Sequence, residues 1–300
     1  MAYSRFEIWW EAARPRTLAA AFVPVLIGAS LAYYDGNLDI GITFVALIAA
    51  TLIQIGTNFA NDYFDNETGA DNDERVGFTR VTAQGLVSPG VMLAATIATM
   101  GLAFLVGLYL VWHAGWVILA IGVLAIFFGL AYTGGPFPLG YNGLGDVFVF
   151  LFFGIIAVMA TYYVNALHWS VDSFWASLAV GGLSTGILIV NNLRDVEQDK
   201  LAGKRTIGVL FGEDALRWEY TLMVILAFAI PPHMYFRLGY TWPILLPLAG
   251  LPFGGLLVHR IWTVKEKVKF NAFLERTAQF MTLYGILFAV GIVLSRIFGV

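Results

Sequence analysis

Apolar runs of membrane-crossing length alternate with short polar breaks along almost the whole chain. A helix needs ~20 mostly apolar residues to cross a bilayer. Runs of this kind fall near 17–34, 41–61, 89–111, 115–131, 145–164, 174–192, 216–232, 241–260 and 278–298. They predict nine transmembrane helices, of which the fourth and seventh are short. Ahead of them, residues 1–16 are amphipathic: Phe6, Ile8, Trp9 and Trp10 are interspersed with Arg5, Glu7, Glu11, Arg14 and Arg16. That pattern predicts a short helix lying in the interface, with its tryptophans at headgroup level, rather than a cleavable leader.

Composition sharpens this. Of 300 residues 59% are hydrophobic and 12% charged, and the mean hydropathy is +0.77. Such a chain lacks the polar surface of a soluble domain, so residues 1–300 read as one polytopic membrane domain of all-α class. The absence of cysteine excludes disulfides, thiolate metal sites and cysteine nucleophiles. His113, His168, His233 and His259 share no ligand spacing and read as loop or interface residues. No nucleotide-binding glycine loop and no nucleophile elbow is present, and nothing points to a nucleic-acid partner.

Charge placement gives orientation. With nine spans and a cytoplasmic N-terminus, 15 of the 17 basic residues fall on the cytoplasmic side, leaving Arg237 and Arg296 on the other. The same layout makes 62–88 and 193–215 long cytoplasmic loops rich in both charge signs, the kind of segment that carries function.

Those loops begin with two related clusters. The first runs Asn58-Phe59-Ala60-Asn61-Asp62-Tyr63-Phe64-Asp65, with Asp71 beyond. The second runs Asn191-Asn192-Leu193-Arg194-Asp195-Val196-Glu197-Gln198-Asp199. Helical spacing puts Asn58, Asp62 and Asp65 on one face, and Asn61 four residues before Asp65. It likewise aligns Asn191 and Asn192 with Asp195 and Asp199. Carboxylates beside a bilayer are costly, and paired carboxylates collect Mg²⁺ that bridges to a phosphate-bearing substrate. The alternative is a pair of solvated, helix-capping acids. Two matched clusters on one side favour a site for two or more Mg²⁺ ions and a diphosphate.

Cations accompany the acids: Arg80, Arg194, Lys204 and Arg205 suit diphosphate oxygens and a charged leaving group, although the positive-inside rule alone also accounts for them. A turn-rich stretch, Tyr132-Thr133-Gly134-Gly135-Pro136 through Gly143-Leu144-Gly145-Asp146, places Asp146 at the membrane edge, as a site residue or as a helix cap. Tyr63 and Tyr132 neighbour the polar motifs and are candidates to face an isoprenoid or a carbocation.

Taken together, these motifs resemble the UbiA-type superfamily of intramembrane aromatic prenyltransferases, which pairs Asn-Asp-x-x-Asp with Asp-x-x-x-Asp. Here those are Asn61-Asp62-x-x-Asp65 and Asp195-x-x-x-Asp199. Ala13-Arg14-Pro15-Arg16-Thr17-Leu18, the Asn191-Asn192-Leu193-Arg194-Asp195 run and Gly203-Lys204-Arg205-Thr206 resemble the branch acting on 1,4-dihydroxy-2-naphthoate in the menaquinone pathway. The resemblance implies nine helices around a central cavity in a bacterial inner membrane. It implies a prenyl diphosphate held through Mg²⁺ by Asp62, Asp65, Asp195 and Asp199, with Asp71 as a further ligand. Arg80, Arg194 and Lys204 would neutralise the departing diphosphate, and an aromatic acceptor would attack the allylic cation and lose CO2. Other acceptors (4-hydroxybenzoate, homogentisate) and a phytyl donor stay open. An ion-coupled transporter is the competing class, but it needs charges deep within the spans.

Overall fold

The computed structural model describes residues 3–69, 77 and 80–299. Among these the regular structure is entirely helical. The expected runs each find a helix: α2 (Ala19–Tyr34), α3 (Ile40–Glu67), α4 (Pro89–Ala114) and α5 (Trp116–Ala131). The fifth run, Gly145–Ala166, contains α6 (Gly145–Val149), a π-helical stretch (Phe150–Ile156) and α7 (Ala157–Ala166). Then come α8 (Val171–Leu201), a short α9 (Ile207–Phe211), α10 (Glu213–Arg237), a 3-10 stretch (Trp242–Gly250) leading into α11 (Leu251–Thr263), and α12 (Lys269–Phe298).

By length and composition six of the described segments can each cross a membrane, or seven if the bent pair Arg5–Thr17 and Ala19–Tyr34 counts as one. The 16-residue α5 is shorter, and α10 carries Glu213, Asp214, Arg217 and Glu219 in its first turns. Nine crossings are thus more than these criteria establish, although the helices themselves are where the hydropathy put them.

The helix ends differ from expectation in a way that matters. α3 and α8 continue through the acidic clusters to Glu67 and Leu201, so the loops expected at 62–88 and 193–215 begin later. Helical side-chain spacing persists after the apolar content stops, and polar residues are compatible with helix where they have partners.

At the N-terminus, Ser4 and Glu7 form a capping box for α1 (Arg5–Ala13). Arg14 ends that helix in the left-handed region at φ 51°, and a 51° bend leads through Pro15–Thr17 into α2.

The core is built around α8, whose apolar window is 78% buried. Tyr220, Tyr284, Phe280 and Phe288 pack with it from α10 and α12. The buried tyrosines are satisfied: Tyr284 donates to the Ala227 carbonyl at 2.5 Å, and Tyr220 lies 3.1 Å from the Thr277 hydroxyl. Close approach of the π-helical stretch to α8 depends on glycine, because a Cβ at Gly154 would lie 2.4 Å from Gly181 Cα. The end of the bundle away from the acidic clusters is tied by Tyr162 to Asp35 (2.5 Å) and His168 (2.9 Å), and by Tyr240 to Asp172 (2.9 Å). His168 lies exposed in the loop between α7 and α8, with its ring nitrogens on the Tyr162 hydroxyl and the Ala166 carbonyl.

Candidate active site

A cavity of about 380 Å³ runs between α2, α3, α4, α5, the π-helical stretch and α8. Most of its length is apolar. Phe128, Phe148 and Phe152 line it as an aromatic cluster with ring centroids 4.9–6.0 Å apart. The π-helical stretch carries Phe152 on this wall, in keeping with the frequency of such irregularities at functional sites.

The polar end is assembled from five pieces: the last turns of α3 and α8, the turn at Arg80–Leu86, the turn at Leu139–Tyr141, and the turn after α8. Asp65, 2% exposed, is its centre. Its Oδ2 accepts from Arg80 at 3.2 Å, and its Oδ1 accepts from the Tyr141 hydroxyl at 2.5 Å and from Lys204 Nζ at 3.3 Å. Lys204 also lies 3.7 Å from Asp199 and 4.4 Å from the centre of the Tyr141 ring. Burial, and next the Asp65 charge, push the Tyr141 hydroxyl above the ordinary tyrosine range, so it stays a donor.

Backbone contacts fix these pieces. The Arg205 N–H donates to the Tyr141 carbonyl at 2.7 Å, and the Lys204 N–H to the Asp199 carbonyl at 2.8 Å. Gly203, at φ +72°, turns the chain back so that Lys204 faces the acids.

Asn61, Asp65, Arg80, Tyr132, Asn191, Asn192, Asp195, Asp199 and Lys204 all line the cavity, so most of the predicted constellation converges. Asn61 accepts from the Thr133 hydroxyl at 2.8 Å. Asn58 lines it too, and ties its amide to the Ala13 carbonyl (2.9 Å) and the Thr17 hydroxyl (3.1 Å) at the N-terminal bend.

Other expected site residues sit elsewhere. Asp62, expected as a metal ligand, is 1% exposed and does not line the cavity. Its carboxylate accepts from the backbone amides of Val81 (3.3 Å) and Thr82 (3.1 Å) and so anchors the turn that presents Arg80. The reason is angular: residues three apart on a helix point about 60° apart, enough to send Asp62 to the turn and Asp65 to the cavity. Arg194, expected at the diphosphate, instead forms a forked pair with Asp195 (2.6 and 2.7 Å) and reaches Asn191 (2.7 Å) and Asn271 (2.9 Å). It holds α12 to α8 and orients Asp195.

Tyr63 packs against the cluster of Ala12, Phe59 and Val81, not on the cavity. The Arg205 side chain is exposed. Asp146 is buried at the start of α6 with Oδ1 lacking a hydrogen-bond partner, and lies off the cavity lining. Asp71 lies outside the described residues.

Sequence reasoning missed Tyr141, whose partners are remote in the chain. It also missed Gln54, which lines the cavity and which a lone amide within an apolar run should have flagged.

Among the described residues no three acidic or histidine side chains approach closely enough to share one ion. Asp65, Asp195, Asp199 and Asn61 nonetheless offer the polar end carboxylate and amide oxygens, the kind of ligand that Mg²⁺ prefers. A cation, the Lys204 ammonium, already lies between Asp65 and Asp199. The residues present therefore fit a divalent ion.

Residues 21–295 match the UbiA prenyltransferase family. The 1,4-dihydroxy-2-naphthoate octaprenyltransferase of Escherichia coli is 36% identical over 98% of this chain and 97% of its own. The Bacillus subtilis protein of the same description is 29% identical over 96% and 93%. In fold, the chain is similar to a UbiA homologue from Archaeoglobus fulgidus bound to DMAPP and Mg²⁺ (TM-score 0.66, 15% identity, 94% of this chain and 99% of that one). The chain is a member of the UbiA prenyltransferase family.

Proposed function

We propose that this protein transfers a polyprenyl group from a prenyl diphosphate to 1,4-dihydroxy-2-naphthoate. Diphosphate and CO2 leave, and the demethylated naphthoquinol of menaquinone biosynthesis forms. The observation that carries the chemistry is the cavity itself, with acids and cations gathered at one end and an apolar, aromatic-lined remainder. The choice of acceptor is supported by the relatives described above.

Asp65, Asp199, Asn61 and Asp195 are the residues that would hold Mg²⁺. When bound, the ion neutralises the diphosphate oxygens and makes them a better leaving group. Arg80 and Lys204 stand where they can donate to the same oxygens. Phe128, Phe148 and Phe152 offer π faces to an allylic cation, and the apolar walls keep water from it. Tyr132 lines the same cavity and has the polarity to contact the acceptor. The polar end faces the cytoplasm of a bacterial inner membrane, following the distribution of basic residues.

The test is a transfer assay on detergent-solubilised protein with dihydroxynaphthoate and a long-chain prenyl diphosphate, with and without Mg²⁺, following product and CO2 together. Mg²⁺-dependent product with equimolar CO2 is expected. Diphosphate release without product would reject the acceptor, and transfer unaffected by chelation would reject the metal.

A further inference from the structure

The polar end balances its own charge. Asp195 is matched by the forked Arg194, and Asp65 by Arg80 at 3.2 Å. Lys204 sits between Asp65 (3.3 Å) and Asp199 (3.7 Å), with its side chain only 14% exposed. It reaches them from the turn after α8 rather than from a helix, and that turn passes through Gly203 in the left-handed region at φ +72°, with open space on the side where a Cβ would stand. The Tyr141 ring at 4.4 Å provides a second resting surface for the ammonium.

We infer that the Lys204 ammonium is an exchangeable cation that occupies the place of a divalent ion between Asp65 and Asp199 while the donor is absent. This deepens the proposed function and rests on its metal site. Bringing two carboxylates from different helices together costs Coulomb energy in a partly buried setting, and one positive charge between them removes most of it. A divalent ion entering that place must first displace the ammonium, so donor-free metal binding is weak. Metal arriving with a diphosphate brings the anion that receives the displaced lysine. Lys204 thereby couples metal binding to donor binding, and it is a positioning residue as well as a diphosphate contact.

The experiment measures donor-free binding of Mn²⁺, the paramagnetic substitute for Mg²⁺, by electron paramagnetic resonance on solubilised full-length protein. K204M, which keeps the chain length and removes the charge, is expected to bind Mn²⁺ at least roughly tenfold more tightly than wild type, because a repelling charge at contact distance is gone. K204R, which keeps the charge, is expected to resemble wild type. In the presence of inorganic diphosphate the order reverses, with K204M binding the metal–diphosphate pair more weakly than wild type. If K204M does not fold, K204Q repeats the test. Mn²⁺ affinity unchanged or weakened in the neutral variants overturns the inference while leaving the metal site standing. No Mn²⁺ binding to any of these proteins, with or without diphosphate, overturns the inference and the metal site together.

Discussion

Asp62→Asn separates two roles that adjacent acids in one motif are easily assumed to share. Asp62 gives its carboxylate to the backbone N–H groups of Val81 and Thr82 at 3.3 and 3.1 Å, beneath a surface that leaves it 1% exposed. An amide keeps one acceptor oxygen and turns its NH2 toward the other N–H, which then has no acceptor. A hydrogen bond to a charged group contributes roughly 1.5–3 kcal/mol, and these two are long, so about 2 kcal/mol is lost. In a chain of this size that corresponds to a fall of roughly 4 °C in melting temperature. The turn carries Arg80, whose contact with Asp65 loosens with it. The donor KM should rise about tenfold, the loss of one charge-assisted contact, while the Mg²⁺ concentration for half-activation stays unchanged. Thermal melting in detergent and steady-state transfer kinetics at varied Mg²⁺ read both quantities. An unchanged melting temperature combined with a large rise in the Mg²⁺ requirement, matching that of Asp65→Asn, would refute the reasoning and make Asp62 a metal ligand.

Asp65→Asn and Asp199→Asn should each lower Mg²⁺-dependent transfer at least roughly a hundredfold, since each removes a charge from the acids that converge on the cavity; transfer within a factor of a few of wild type would remove them from the site. Gly154→Leu drives a side chain into Gly181 and should cost about 3 kcal/mol or prevent folding, read by thermal melting. Gly122 lines the cavity and a Cβ there meets nothing within 4 Å, so Gly122→Phe should fold normally and obstruct the tail. About 2 kcal/mol of overpacking is roughly a thirtyfold loss with long donors and little with short ones, measured as a ratio of turnover rates. Tyr141 is held protonated in the fold more strongly than in the unfolded chain. Its contribution is therefore intact below the ordinary tyrosine pKa of about 10 and is lost as pH rises above it. The melting temperature of Tyr141→Phe should accordingly fall less than that of wild type between pH 9 and 11.

Hydropathy located the helices because burial in lipid and burial in protein select the same residues, as α4 and α12 illustrate. It misjudged the ends of α3 and α8, where charged residues look like loop but Asp62, Asp65, Arg194, Asp195 and Asp199 find partners within the helical backbone's reach. Asn61, Asp65, Asn192 and Asp199 were legible because an amide and an acid at helical spacing leave a visible face. The split between Asp62 and Asp65 was not, since a difference of about 60° on one helix is decided by which neighbour lies there. Arg194 also looked like a diphosphate ligand, and its use as a clamp depends on Asn271, 77 residues away. Tyr141 carries no local pattern at all: it reaches Asp65 across 76 residues.

The two acidic helices meet the polar end with their C-termini. The peptide dipoles of a helix leave about half a negative charge at that pole, and Asp65 and Asp199 lie in the last turns of α3 and α8. Phosphate sites are commonly built at the opposite, positive pole, where free N–H groups point at the anion. Here two backbone poles repel a bare anion and attract cations before any side chain is counted. Phosphate recognition therefore falls to charges carried on turns, Arg80 and Lys204, and to whatever cation comes with the anion. A free diphosphate should find this end of the molecule hostile, and its metal complex should find it welcoming.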